Sequence, residues 1–172
     1  MSLAEGDHND VLDAVVSAIE ADTGTGGLFE SPDPPVKLVE IELRNEPRAY
    51  RDHEAPAIAV TLIGKDERRE GGAAIRTYRL AIYVYCRGAD SGVESTRCRK
   101  IVSRLEQVIR DENDSSRQFQ GLPQSSSWAL GALNVAPVRA EFFTGEEARR
   151  GQTVYAVLGL VEAEIEIPTV RY

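Results

Sequence analysis

The chain carries 172 residues, of which 42% are hydrophobic and 28% charged, with a formal net charge of -8 at pH 7. That length suits one domain burying most of a single core, and the balance of apolar and charged residues excludes the low-hydrophobicity signature of disorder. The negative charge argues against a nucleic-acid-binding surface, whose affinity comes from Lys and Arg displacing counterions.

The first helix is read from Val11, Leu12, Val15, Val16 and Ile19, which three- and four-residue spacings place on one face. Asp7 or Asn9 can cap it. Asp22-Thr23-Gly24 marks its end. The stretch through Gly26, Gly27 and Pro32-Asp33-Pro34-Pro35 cannot continue a helix, because glycine costs backbone entropy and proline lacks the amide donor, so residues 24–35 read as a long loop. Val39, Ile41 and Leu43 then alternate with Glu40, Glu42 and Arg44, the period of a strand with one wet face. A more apolar strand follows from Ala57 to Ile63. The polar run Gly64 to Gly72, containing Lys65-Asp66-Glu67-Arg68-Arg69-Glu70, reads as the extended charged tip of a hairpin whose second strand is Ile75 to Cys86. That strand sets Tyr78, Leu80, Ile82 and Val84 on one side and Thr77, Arg79, Ala81, Tyr83 and Tyr85 on the other.

Arg87-Gly88-Ala89-Asp90 makes a turn, and Ser91-Gly92-Val93-Glu94 has the capping-box spacing that opens a helix. Cys98, Ile101, Val102, Leu105, Val108 and Ile109 form its apolar stripe, so this helix is expected to cover a sheet. Asn113 to Ser127 is rich in Ser, Gln and Asp and reads as a surface excursion before Trp128. Two closing strands, Val138 to Phe143 and Thr153 to Ile167, form a second hairpin through Thr144-Gly145-Glu146-Glu147-Ala148-Arg149-Arg150-Gly151. Its last strand begins with apolar residues on both sides. It ends with Glu162, Glu164 and Glu166 on one face and Val161, Ile165 and Ile167 on the other. No internal repeat or linker divides the chain. The expectation is one α+β domain over residues 1–172, with a mainly antiparallel sheet of about four to five strands covered by two helices. The expected order is α-β-β-β-α-β-β, with long protruding hairpin loops.

The chemistry-bearing residues are few. Nucleophilic catalysis needs a Ser or Cys beside an oriented base, and the only histidines are His8, at a helix start, and His53, in the Asp52-His53-Glu54 loop. Both read as solvated, and no catalytic residue is expected. Cys86 and Cys98 lack a CxxC or Cys/His ligand spacing, so they read as small buried apolar residues in a reduced compartment, without zinc or disulfide. Glu162, Glu164 and Glu166 point the same way roughly 7 Å apart, but nothing splits their environments as an acid-base pair requires. A solvated or pore-facing acidic row is the reading, and no metal or cofactor is expected. Gly24-Thr25-Gly26-Gly27 lacks the Lys-Ser/Thr of a phosphate loop and follows a helix rather than a strand. Tyr78, Tyr83, Tyr85 and Trp128 read as core or cross-strand partners. Arg68, Arg69 and Glu70 at one hairpin tip, and Arg149 and Arg150 at the other, are candidate contacts between subunits, with plain solubility as the simpler account. No apolar run approaches the roughly 20 residues of a membrane span, and charges stand near the N-terminus where an export signal needs an apolar stretch. The expectation is a soluble protein, neither exported by that route nor embedded.

The order of elements resembles that of the tail terminator and tail-completion proteins of tailed bacteriophages. The resemblance rests on the N-terminal helix (Val11 to Ile19), the strand Tyr78-Arg79-Leu80-Ala81-Ile82-Tyr83-Val84-Tyr85, its short turn, the helix Ser95 to Ile109 and the closing hairpin, about two-thirds of the chain. It is one of pattern rather than motif, and such families have no catalytic residues to carry over. It implies a structural virion protein of the head-tail junction, forming a homo-oligomeric ring, hexameric by that analogy, assembled in the host cytoplasm. Its partners would be the tail tube protein and the connector or neck proteins. DNA would pass through without specific binding, the row Glu162, Glu164, Glu166 facing the lumen. The loops 24–35 and 113–127 are longer than in the shorter family members, which leaves another neck or head-completion protein as an alternative. A small-ligand-binding regulatory domain is the alternative from another class.

Overall fold

The computed structural model describes residues 8–30, 36–44, 50–110, 134–149 and 151–169. Along them run α1 (His8–Glu20), β1 (Leu38–Ile41), β2 (Ala57–Glu70), β3 (Ala73–Gly88), α2 (Ser91–Arg110), β4 (Asn134–Arg149) and β5 (Gln152–Thr169). The expected α+β order is met. The five strands form one sheet in the order β1-β2-β3-β5-β4, with β1 parallel to β2 and every other pair antiparallel.

Both helices pack on the same side of this sheet, α1 over β1 and β2, α2 over β3, β5 and β4. The alternation of β3 sends Tyr78, Leu80, Ile82, Val84 and Cys86 into that layer, where they meet Val11, Val15 and Ile19 of α1 and Cys98, Ile101 and Leu105 of α2. Burying such side chains stabilises by roughly 1.5–3 kcal/mol each before entropy is counted. α2 sits close over β5 at Gly159. A Cβ there would lie 2.8 Å from Val102 Cγ2 and 2.9 Å from Cys98 Sγ, so a larger residue would push the helix off the sheet.

The cap of α2 and the end of β1 differ from the expectation. Asp7 and the region 113–127 with Trp128 lie outside the described residues. The capping box of Ser91 and Glu94 is not formed. Asp90, one residue earlier, caps α2 instead, its Oδ1 accepting the amides of Gly92 at 2.8 Å and Val93 at 3.0 Å. A charged acceptor at the positive end of a helix is the better cap. Glu94, released from capping, is buried and accepts from the Arg97 guanidinium at 2.6 Å. β1 stops at Ile41, because Glu42 takes a φ of 68° and turns Leu43 out of the strand.

The two charged hairpin tips are the larger correction. Lys65 to Glu70 belongs to β2, which stays paired with β3 as far as Glu70 opposite Ala73, leaving only Gly71 and Gly72 to turn the chain. Both glycines have positive φ, 56° and 86°, the conformation that a tight two-residue hairpin turn demands. The charges do not break the strand because they pair across it: Glu67 with Arg76 at 3.2 Å and Asp66 with Arg79 at 3.3 Å. Likewise Thr144 to Arg149 is part of β4, paired to the end with Arg149 opposite Gln152. The protrusions are strands, not loops.

Candidate assembly surface

The side of the sheet away from the helices is where the chain presents chemistry. Cross-strand register places Leu38, Ala57, Tyr85 and Leu158 in one row, then Glu40, Ala59, Tyr83, Leu160 and Glu141 in the next. Below them come Thr61, Ala81, Glu162 and Arg139, and then Asp66, Thr77 and Glu166. The face grades from apolar to charged along the strands.

Its apolar end is roofed by the segment around Tyr50. The Tyr50 ring stacks on Tyr85 with centroids 5.1 Å apart, and the Arg44 guanidinium lies 4.6 Å above the Tyr50 ring. Arg44 also donates to Glu40 Oε1 at 3.0 Å and Glu54 Oε2 at 3.0 Å. Hydrogen bonds from Arg44 and the Arg51 amide hold the Glu54 carboxyl below its ordinary pKa, while burial, reinforced by the Glu40 carboxylate, pushes the Tyr50 phenol up. From the sheet, the buried Arg87 side chain donates to the Tyr50 carbonyl at 3.0 Å and pairs with Asp52 at 2.9 Å.

The charged end holds the acidic row. Glu162, Glu164 and Glu166 share this face as expected, but the row is not a bare run of negative charge. Arg139 of β4 donates to Glu162 at 2.9 Å, and Arg68 of β2 donates to Glu166 at 2.8 Å. Both guanidinium pKa values are raised, first by these hydrogen bonds. Such half-open pairs order side chains more than they stabilise the fold. Two of the three carboxylates are thus flanked by guanidinium groups, while Glu164 between them is exposed.

The candidate contact residues divide between the two ends of the sheet. Arg68, Arg69 and Glu70 lie by the Gly71 turn, where β3 begins, and Arg68 also reaches Glu70 at 3.4 Å. Arg149 lies past the opposite end of β3, since Gly88 already pairs with Tyr155. Arg150 falls outside the described residues. The fold therefore sets the backbone of Arg149 at the end of the sheet opposite Arg68 and Arg69.

Elsewhere, His8 is exposed and sets its ring edge-on to Tyr78 at 6.0 Å, and His53 is exposed in its loop. Among the described residues no three His, Cys, Asp or Glu side chains gather to hold a metal. Cys86 and Cys98 are free, buried thiols. The neighbouring Cys98 thiol and then burial push the Cys86 pKa up, which disfavours the reactive thiolate. No described helix is long and apolar enough to cross a membrane.

A reading by element missed the exposed apolar residues of the sheet edges: Ile41, Ile63, Val138, Phe142 and Phe143. The adjacent pair Phe142-Phe143 carried the signal. In a strand, neighbours point to opposite faces, so two consecutive phenylalanines put an aromatic ring on each side. Phe143 walls a shallow groove of about 270 Å³ with Tyr85, Ala156 and Leu158. A second open groove, about 390 Å³, runs along the outer side of α2 past Arg99, Lys100 and Arg104.

These features define a two-layer α+β domain with helices on one side of a mixed sheet and an ion-paired ladder on the other. No family model matches the chain. No curated protein matches it. Among solved structures it is similar to a chain of the virion of a native gene transfer agent (GTA) particle, at 13% identity and a TM-score of 0.44, over 90% of this chain and 94% of that one.

Proposed function

We propose that this chain is a structural virion protein of a tailed phage or phage-like particle. In this reading it is a tail terminator that closes into a ring on the end of the tail tube and joins it to the head or neck. Its work is assembly, without a catalytic centre, metal or cofactor. The order of elements that resembles tail terminators supports this reading.

The observation that carries it is the proportion of sheet to cover. Strands of 14, 16, 16 and 18 residues stand on two helices, where ordinary strands run about 5–6 residues. They carry apolar side chains on their outer edges and charged ones at their far ends. Such ribbons leave surface for other subunits, and a ring is the closed form that repeated identical contacts take. A row of Glu flanked by Arg on the lumen side would offer passing DNA no continuous positive track, so the duplex slides without being held.

A ligand-binding domain is the weaker reading. Both grooves, about 270 Å³ at Tyr85 and Phe143 and about 390 Å³ along α2, are open to solvent rather than enclosing, unlike small-molecule sites, which bury most of their ligand. The deciding measurement is the mass of the purified chain, alone and mixed with tail tubes, together with electron microscopy of the tube ends. A ring-sized species seated on those ends is expected. A monomer at every concentration, with tube ends left bare, rejects the proposal.

A further inference from the structure

We infer that copies of this chain join head to tail through the sheet, the outer edge of β4 in one copy lying antiparallel against the β1–β2 edge of the next. Val138 and Phe142 would then meet Ile63 and Ile41. This deepens the ring reading, on which it rests, by naming the surface through which the ring closes.

Three observations carry the inference. The first is where the exposed apolar side chains lie. Ile41, Ile63, Val138, Phe142 and Phe143 are between 38% and 56% exposed, and all five stand on the two outer strands of the sheet or on the stretch of β2 that β1 leaves unpaired. Soluble proteins usually blunt such edges with charge. Here the two bulged positions, Ile63 between Leu62 and Gly64 and Val138 between Pro137 and Arg139, are both apolar.

The second observation is height. One row across the sheet runs Ile41, Val60, Ile82, Val161, Ala140, and another runs Leu62, Leu80, Ala163, Pro137. Ile63 follows Leu62 and Val138 follows Pro137, so both bulges border the same row. Ile41 stands level with Ala140, between Val138 and Phe142. The apolar residues of the two edges therefore occupy one band and meet when copies are set side by side.

The third is direction. β1 runs parallel to β2, while β2–β3, β3–β5 and β5–β4 are each antiparallel, so β4 runs opposite to β1 and β2. A neighbouring copy set alongside without being turned over thus offers an antiparallel partner strand. That geometry allows the free amides and carbonyls of each edge to pair. A two-fold contact of β4 with β4 would leave Ile41 and Ile63 in water and would stop at two copies. The head-to-tail contact covers both edges and repeats until it closes.

Cysteine cross-linking tests this directly, because Cys86 and Cys98 are buried and do not compete. Ile63→Cys and Val138→Cys are made singly and together, and treated with a mild oxidant that accepts the two electrons and two protons of each disulfide. The double variant should give a ladder of covalent oligomers. A mixture of the single variants should stop at a dimer, and neither single alone should link. A dimer of Val138→Cys alone overturns the inference in favour of a two-fold edge. Absence of the ladder while the double variant still caps tubes removes the inference but leaves the ring. A monomeric variant that leaves tubes bare removes both. An arm free of thiol chemistry uses Ile63→Glu and Val138→Lys. Each should weaken self-association by about tenfold or more, because a lone charge enters an apolar contact, and both in one chain should restore it, since the new charges face each other. Failure of that rescue counts against the contact.

Discussion

β3 shows the two sides of the sheet in a single strand. Tyr78, Leu80, Ile82, Val84 and Cys86 are all but fully buried beneath the helices, whereas on the other side burial is uneven: Arg79 is exposed and Tyr83 half-buried, while Ala81 and Tyr85 are buried. The backbone and its hydrogen bonds are common to both sets, so the difference comes from what covers each side. The covered side holds the molecule together through apolar contact that water cannot replace. The open side is held at its charged end by ion pairs that water and salt can loosen, and at its other end by the stack of Tyr50 on Tyr85.

The sharpest way to break that comparison is to truncate neighbouring residues that point opposite ways. Ile82→Ala, on the covered side, should cost about 3 kcal/mol by lost transfer energy and a residual cavity. Tyr83→Ala, the next residue but on the open side, should cost nearer 1 kcal/mol. Urea melts of the two variants measure the ratio, and equal losses would mean that the open side is as well covered as the other. A smaller effect is expected at Asp22, which closes the loop after α1. Its side chain is buried, accepts the Leu28 amide at 2.8 Å, and binds the Arg104 guanidinium at 2.6 and 2.9 Å, tying α1's exit to α2. Asp22→Ala strands these donors. Because Arg104 remains 30% exposed and water can serve it, the loss should be about 2 kcal/mol rather than that of a fully buried pair. The urea midpoint should fall with an unchanged slope.

The sequence made the covered side legible because periodicity reports burial. The stripe from Cys98 to Ile109 and the alternation from Tyr78 to Val84 place the helix and strand correctly, since both patterns arise from the same apolar contact they predict. The strand ends were not legible. Lys65 to Glu70 and Thr144 to Arg149 are polar, and polarity reads as loop, yet both extend strands: cross-strand ion pairs and the Gly71-Gly72 turn hold the first, and unbroken pairing with β5 as far as Arg149 opposite Gln152 carries the second. The same limit governs the candidate surface. Alternation places Glu162, Glu164 and Glu166 on one face but says nothing of Arg68 and Arg139, which come from strands about 98 and 23 residues away in sequence from their partners. The parallel pairing of β1, and the two bulges that share one row, are likewise facts of register, which no single segment encodes.

The smallest effect expected sharpens the comparison within the open side itself, between its roofed and unroofed ends. The roof depends on Arg44, which spans Glu40 and Glu54 while covering the ring of Tyr50. Glu54 ionises more readily in the folded chain than its ordinary value of 4.5, so its contribution is present above that value and fades as pH falls through the lower folded one. The other charged groups facing the site, Glu40 beside Arg44 and Asp52 against Arg87, belong to the same network, and the Tyr50 phenol, with its pKa pushed up, stays protonated throughout. Acidification below about pH 4.5 should therefore loosen the stack of Tyr50 on Tyr85 before the helices melt. It would be seen as a loss of near-ultraviolet tyrosine dichroism at unchanged far-ultraviolet signal. In Glu54→Gln the weaker neutral acceptor is present at every pH, and the step should vanish. A step of the same size in that variant would place the titration on another group and detach the roof from Glu54.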